Sequence, residues 1–390
     1  MAFILTLVIV IAATKLAGAL SVKLGQPSVL GKLLAGVLLG PAILGWVQPN
    51  EFIHYFSEIG VLLLMFIAGL ETDLEQLKRN WKSSFAVAAG GVVLPLIGGY
   101  AVASGFGLNP SEAWFIGLLL CATSVSITVQ TLKEMDRLGS REGTTVLGAA
   151  VVDDVIVVIM LAVMLSFLGE GAAADVSIGL LIGKKVVFFV AVLLAGWFIV
   201  PHFLKLFAPF RVTQAVMSGG LIVCFAFSYF AEKMGIAGII GAFAAGLAIS
   251  QTAYKKEIET KTEPIAYTLF VPVFFVSIGL NITFEGVGSQ LPFIIAMTVL
   301  AILSKLIGGG LGARLTGFDT RSSIAVGAGM VSRGEVALII ASTGLVGGLL
   351  HPAYYTSIIL VVILTTLVTP PLLKAVFPKP VEGGVADINR

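Results

Sequence analysis

The sequence predicts an all-α, polytopic membrane protein with about thirteen transmembrane helices. Three features support this fold class: the composition, the length of the apolar runs and the placement of basic residues. Of the 390 residues, 57% are hydrophobic and only 12% are charged, and the mean hydropathy is +1.03. Because soluble domains carry about 25% charged residues, we expect membrane lipid to surround most of this chain.

The apolar runs are long enough for membrane-spanning helices, each of which needs about 20 predominantly apolar residues. They lack the alternation typical of outer-membrane barrel strands. The predicted spans lie near residues 2–22, 27–45, 58–70, 81–104, 112–132, 143–168, 178–200, 213–232, 235–251, 264–284, 290–313, 322–348 and 353–376.

Basic residues predict the orientation, because cytoplasmic connections carry an excess of Lys and Arg. The even-numbered connections hold Lys233, with Lys184 and Lys185 at the start of the seventh span. The odd-numbered connections and the C-terminal tail hold Lys23, Lys78, Arg79, Lys82, Lys133, Arg137, Arg141, Lys205, Arg211, Lys255, Lys256, Lys261, Arg314, Arg321, Lys374, Lys379 and Arg390. We therefore expect a cell-membrane protein with its N-terminus outside and its C-terminus in the cytoplasm.

Composition and motifs exclude several classes of function. A net charge of +2 is too small to indicate a nucleic-acid partner. Cys121 and Cys224 lie inside apolar runs, which favours neither a disulfide framework nor a metal site. The sequence contains no Walker A motif and no common hydrolase motif, so we expect no enzyme activity, no cofactor and no nucleotide partner. From the short tail after residue 376 we expect no soluble regulatory domain.

Two adjacent carboxylates, Asp153 and Asp154, lie near the middle of the sixth span with apolar residues on both sides. A charge at the bilayer centre costs at least about 2.5–3.5 kcal/mol. Neighbouring residues on a helix point about 100° apart, so one carboxylate can face other helices while the other faces a cavity. Since like charges this close repel each other, the pair favours binding a proton or a small cation. The alternative is a structural pair that bridges to a lysine.

Lys305 lies in the middle of the eleventh span, within VLAILSKLIGGGLG. A buried lysine keeps its charge only beside a carboxylate, so we expect it to pair with one of the two aspartates. The alternative is that its long side chain extends to the membrane surface.

A second group of charges comprises Glu71 at the end of the third span and Arg333 and Glu335 in the twelfth span. Arg333 and Glu335 are two residues apart and do not face each other on a regular helix. They therefore need other partners or an interrupted helix, and Glu71 is a candidate partner for Arg333. We interpret the three residues as a structural charge network, with a direct role in transport as the alternative.

Two spans contain residues that predict an interruption of the helix. The fifth span contains CATSVSITVQ and the twelfth contains GAGMVSRGEV; each is fifth within a group of six spans. Transporters place such broken helices at equivalent positions of two inverted repeats. We therefore predict one repeat over 2–168, a linker span over 178–200 and a second repeat over 213–376. Ordinary packing of small residues between helices is the alternative.

Together these residues make the chain similar to the cation:proton antiporter-2 family, and within it to the NapA- and GerN-type Na⁺/H⁺ antiporters. The resemblance extends over nearly the whole chain. The motifs that carry it are GQPSVLGKLLAGVLLGPAILG, GVLLLMFIAGLETD, ATSVSITVQTLKEM, GAAVVDDVIVVIML and VSRGEVALI.

The resemblance implies an NhaA-like fold with crossing broken helices, a homodimer, and exchange of a monovalent cation for protons by an elevator-type movement. It implies a panel domain of spans 1–3 and 8–10 and a core domain of spans 4–6 and 11–13. It further implies that Asp154 is the main cation ligand, with Thr123 and Ser124, and that Asp153 is the partner of Lys305. Na⁺ is the favoured cation, with K⁺ and Li⁺ as alternatives, and two acids with one lysine predict electrogenic exchange.

Other functions remain as alternatives. K⁺ efflux proteins of the same family carry Gln before a single Asp, together with a nucleotide-binding domain, and this chain departs from both features. A sodium-coupled symporter for organic solutes could share the broken helices, but the acid pair argues against it. A channel needs a continuous pore, and a membrane aspartyl protease needs aspartates on separate helices.

Overall fold

The computed structural model of the protein describes residues 2–24, 26–168, 178–210, 212–280, 287–346 and 348–377. All regular secondary structure in these ranges is helical. The α-helices are α1 (Ala2–Lys23), α2 (Ser28–Leu39), α3 (Glu51–Glu71), α4 (Leu74–Arg79), α5 (Trp81–Gly105), α6 (Pro110–Leu119), α7 (Val125–Glu134), α8 (Arg141–Leu168), α9 (Ile178–Leu194), α10 (Val200–Phe207), α11 (Ala215–Lys233), α12 (Gly238–Ser250), α13 (Lys255–Ile265), α14 (Val271–Leu280), α15 (Val287–Leu315), α16 (Thr320–Gly329), α17 (Glu335–Val346) and α18 (Pro352–Val376). Two π-helical turns, Ala195–Ile199 and Ala266–Phe270, join α9 to α10 and α13 to α14.

The protein is a polytopic membrane protein. In the described part of the chain, 9 helices are long and apolar enough to cross a bilayer, and Ser28–Leu39, Gly238–Ser250 and Val336–Leu345 are shorter apolar helices. Large apolar side chains such as Leu5, Leu194 and Leu311 are exposed on the outside of the bundle. In water this surface would be unfavourable, whereas in lipid it is the expected one.

Every predicted span coincides with one or more helices, and the differences lie at the ends. The third span begins earlier than predicted, at Glu51, because the Asn50 side chain accepts a hydrogen bond from the amide of Ile53 and caps the helix. The tenth begins at Lys255, since a charged helical turn precedes the apolar run. Helix α4 was not predicted. Residues 281–284 of the tenth predicted span and residue 347 of the twelfth lie outside the described residues.

Both interrupted spans begin with a side-chain N-cap. Asn109 precedes Pro110 and accepts a hydrogen bond from the amide of Glu112 at 2.9 Å. Asp319 accepts one from the amide of Arg321 at 3.1 Å. Side-chain acceptors at these positions satisfy the amide groups that the first turn of a helix leaves without partners, so both spans begin at defined residues.

Helices α5 and α15 are in direct backbone contact. A Cβ atom on Gly90 would lie 2.2 Å from the carbonyl oxygen of Gly308, and a Cβ on Gly308 would lie 2.2 Å from that of Gly90. Only glycine permits this approach, and small residues commonly bring membrane helices together in this way. The contact fixes α15, and with it Lys305, against α5.

Candidate ion-binding site

Both predicted interruptions are present in the structure. Between α6 and α7 the chain leaves the helix after Leu119 and resumes it at Val125, and between α16 and α17 it leaves after Gly329 and resumes at Glu335. Backbone groups freed in a membrane helix require partners within the protein. The interruptions therefore need to be satisfied by each other or by side chains.

The two interruptions contact each other and supply these partners. The amide of Ser124 donates to the carbonyl of Ser332 at 2.8 Å, and the Ser332 hydroxyl donates to the carbonyl of Ser124 at 2.5 Å. Thr128 Oγ1 donates to the carbonyl of Gly329 at 2.8 Å. A Cβ on Gly334 would lie 2.5 Å from Ser124 Oγ, so glycine is required where the segments cross.

Asp153 is fully buried on α8 and binds two groups with one oxygen. Its Oδ2 accepts a hydrogen bond from Thr123 Oγ1 at 2.5 Å and forms an ion pair with Lys305 Nζ at 3.0 Å. Among the described residues, Asp153 Oδ1 and the buried Ser124 Oγ have no hydrogen-bond partner. Buried polar atoms are seldom left in this condition, and oxygens of this kind suit a hard cation.

Asp154 points in a different direction from Asp153 and lines two small cavities of about 10 Å³ each, which is room for about one water molecule. The first is lined by Met65, Val125, Leu147, Ala150, Val151, Asp154, Ile239, Ile240 and Phe243. The second is lined by Asp154, Val155, Lys185, Ile236, Ala237, Ile240 and Val336. Val125 begins α7 and Val336 is the second residue of α17. Helix N-termini carry partial positive charge, so both half-helices favour a carboxylate here.

Arg333 balances the opposite ends of the half-helices. It is fully buried, and its guanidinium donates to the carbonyls of Leu120, Ala301 and Val331 at distances between 2.8 and 3.1 Å. Leu120 is the C-terminal cap of α6, where carbonyl groups without helical partners carry partial negative charge. The charge of Arg333 therefore stabilises the break itself.

The predicted pairing of Glu71 with Arg333 is wrong. Glu71 ends α3 and forms an ion pair with Lys133, which also binds Glu263. Arg333 instead uses its donors on backbone carbonyls of the interruption and of α15, so neither residue is the partner of the other. The Glu335 side chain lies outside the described residues.

Further polar contacts join α7 to neighbouring helices, and the sequence did not indicate them. Glu134 accepts hydrogen bonds from the amide of Ser28 at 2.6 Å and of Val29 at 3.4 Å, and pairs with Lys32 at 3.3 Å. From the sequence alone, Lys133 and Glu134 are two charged residues at the end of the fifth predicted span, with no indication of their partners. The one signal in the sequence was Pro27, the residue before α2. Because proline has no side-chain acceptor, the first amide groups of α2 need an acceptor from elsewhere in the protein.

The chain is similar to known sodium/hydrogen antiporters. The sodium/hydrogen exchanger family, transmembrane, matches residues 7–379. The chain is 64% identical to the probable Na⁺/H⁺ antiporter GerT of Bacillus cereus, over 97% of this chain and 100% of that protein. It is 59% identical to the Na⁺/H⁺-K⁺ antiporter GerN of Bacillus cereus, over 96% of each. It is 43% identical to a Na⁺/H⁺ antiporter of Enterococcus hirae, over 96% of this chain and 98% of that protein.

The fold is also that of a solved structure. The chain superposes on the sodium proton antiporter MjNhaP1 from Methanocaldococcus jannaschii with a TM-score of 0.66, over 96% of this chain and 97% of that one. At 15% sequence identity, this likeness concerns the fold alone.

Proposed function

Because this chain belongs to the sodium/hydrogen exchanger family, we propose that it is a secondary antiporter that exchanges Na⁺ for protons across the cell membrane. Members of this family are transporters, not enzymes. The observation that carries the proposal is the Asp153–Lys305 ion pair at 3.0 Å beside Asp154, which lines cavities on α8. K⁺ is the second candidate cation, since the relative GerN is a Na⁺/H⁺-K⁺ antiporter.

The proposed cation ligands are Asp154 and Asp153 with the oxygens of Thr123 and Ser124. Carboxylate, hydroxyl and carbonyl oxygens are the ligands that hard cations prefer. Lys305 holds Asp153 in place and supplies positive charge when no cation is bound. Glu71, Arg333 and Glu335 have a structural role in this scheme.

Coupling follows from competition for the same oxygens. A carboxylate that holds a proton cannot also coordinate a cation, so protons and Na⁺ displace each other. An unloaded site would carry uncompensated negative charge through a medium of low dielectric constant, which is costly. The site therefore crosses the membrane only when it carries one load or the other.

The proposed architecture is that of two inverted repeats, 2–168 and 213–376, joined by the linker span 178–200. It has about thirteen spans, an external N-terminus and a cytoplasmic C-terminus. The equivalent placement of the two interruptions, α6–α7 and α16–α17, supports it. We further propose a homodimer with a panel domain of spans 1–3 and 8–10 and a core domain of spans 4–6 and 11–13. The cavities between α8 and helices α3 and α12 lie along the boundary on which such domains would move.

Transport in proteoliposomes tests the proposal. With a pH gradient imposed, addition of Na⁺, Li⁺ or K⁺ is expected to dissipate the gradient, as reported by a pH-sensitive dye, whereas choline is not. Asp154→Asn should abolish the response. The matched control is Asp136→Asn, because Asp136 lies outside the spans with φ 56°, a conformation that asparagine also adopts. Full activity in Asp154→Asn would contradict the proposal.

A further inference from the structure

A pocket of basic character lies where α4 meets α5, next to the start of α8 and the end of α15. It is lined by Arg79, Asn80, Lys82, Ser83, Arg141, Leu315 and Thr316. None of these lining residues, which all belong to the described chain, is acidic. Three cationic side chains therefore converge on one pocket with no carboxylate among them, on the end of the bundle that the basic residues assign to the cytoplasm.

Asn80 gives this pocket a buried donor without a partner. The residue is only 5% exposed, and within the described part of the chain its Nδ2 donates no hydrogen bond. Asn80 lies between α4 and α5, and its side chain caps neither helix. Because buried amide groups are nearly always hydrogen-bonded, a rotation of the Asn80 side chain towards the pocket would let Nδ2 donate to an acceptor oxygen of a ligand.

The surroundings of the pocket place it at the level of lipid headgroups. Trp81 is 61% exposed, with Lys82 Nζ 5.9 Å from its ring, and Leu315 in the pocket wall is 85% exposed. Exposed tryptophan is typical of the membrane–water interface. Arg141 packs over the ring of Phe318 at 3.9 Å, which holds its guanidinium near the pocket.

We propose that this pocket binds the phosphate of an anionic phospholipid headgroup. The guanidinium groups of Arg79 and Arg141 suit phosphate oxygens, Lys82 adds a third charge, and Asn80 Nδ2 donates to one oxygen. The exposed apolar wall at Leu315 accommodates the start of an acyl chain. Basic pockets between membrane helices on the cytoplasmic side bind anionic headgroups for these reasons.

Thermal unfolding of the detergent-solubilised full chain tests the site. Phosphatidylglycerol is expected to raise the Tm of the wild type by about 2 °C or more relative to phosphatidylcholine. Each basic residue near a headgroup contributes roughly fivefold to binding. Arg79→Gln/Lys82→Gln should therefore weaken the apparent affinity for phosphatidylglycerol about 25-fold. Asn80→Asp should abolish the stabilisation, since it places a carboxylate in the pocket.

Matched variants make the outcome decisive. Lys255→Gln/Lys256→Gln removes the same charge from α13, at the same end of the bundle and away from the pocket, and should keep the full response. Asn and Asp are about equally favoured at the N-cap position that residue 80 occupies before α5, so the Tm of Asn80→Asp in phosphatidylcholine should match that of the wild type. Equal responses in pocket and control variants would overturn the proposal. Stabilisation by inorganic phosphate, with none by phosphatidylglycerol, would overturn the assignment to lipid.

Discussion

Asp153 and Asp154 are neighbours in sequence but have different surroundings. Asp153 binds Thr123 and Lys305, while Asp154 lines the cavities beside α3 and α12. The angle of about 100° between adjacent helical residues produces this separation. One carboxylate can therefore keep a fixed partner while the other exchanges its load.

Lys305→Gln should destabilise the protein, because it leaves the buried Asp153 carboxylate without its ion-pair partner. Breaking one side of a buried pair costs roughly 3–5 kcal/mol. The double variant Asp153→Asn/Lys305→Gln removes both charges and should recover most of the lost Tm in detergent. If the double variant unfolds lower than Lys305→Gln alone, the ion pair is not the cause.

Thr123→Val should weaken cation binding, since the Thr123 hydroxyl orients Asp153 through a hydrogen bond of 2.5 Å. Hydrogen bonds to charged groups contribute about 1.5–3 kcal/mol, so the apparent KM for Na⁺ should rise about tenfold or more. Thr123→Ser keeps the hydroxyl and serves as the control. A KM unchanged in Thr123→Val would remove Thr123 from the site.

At the scale of elements, α7 is anchored at both ends. Its N-terminus crosses the α16–α17 interruption through Ser124 and Ser332. At its last residue, Glu134 accepts hydrogen bonds from the first turn of α2 and pairs with Lys32. If the core moves against the panel as proposed, the contacts of Glu134 must break in each cycle.

Glu134→Ala should therefore favour opening towards the basic end of the bundle. Leu147 is buried here and lines the cavity beside Asp154, so a Leu147→Cys reporter should react faster with a water-soluble thiol reagent when Glu134 is replaced. Glu257→Ala is the control, because Glu257 pairs with Lys261 within one helix. Equal labelling rates in Glu134→Ala and the control would show that the contact does not restrain opening.

The sequence predicted the helices and their interruptions well, but it predicted less well which side chains pair with each other. Long apolar runs gave the spans, and glycine with hydroxyl residues gave both interruptions. The Asp153–Lys305 pair was foreseeable because two opposite charges at mid-membrane have few other partners. Glu71 was assigned to Arg333 wrongly, since a single sequence reports depth along a helix but not which helices are adjacent. Helix α4 was missed because its six residues, LEQLKR, form fewer than two helical turns, which is too short for an apolar period to be recognised.

For the whole molecule, we predict that transport moves net charge. Two carboxylates and Lys305 allow more protons than cations to be exchanged in each cycle. An imposed membrane potential should therefore change the rate of Na⁺-driven proton movement in proteoliposomes, in opposite directions for opposite signs of potential. Rates that are independent of potential would establish electroneutral exchange. Liposomes made leaky to protons provide the control for passive charge flow.

The contact of Gly90 with Gly308 has a consequence for the movement of Lys305 in the proposed cycle. Where two backbones touch with no side chains between them, small displacements of one helix against the other cause steric overlap, so we expect α5 and α15 to move together. Lys305 lies on α15, next to its contact with α5, and forms its ion pair with Asp153 of α8. If the core moves as proposed, helices that move together keep Lys305 at bonding distance from Asp153, so the ion pair can persist throughout the movement.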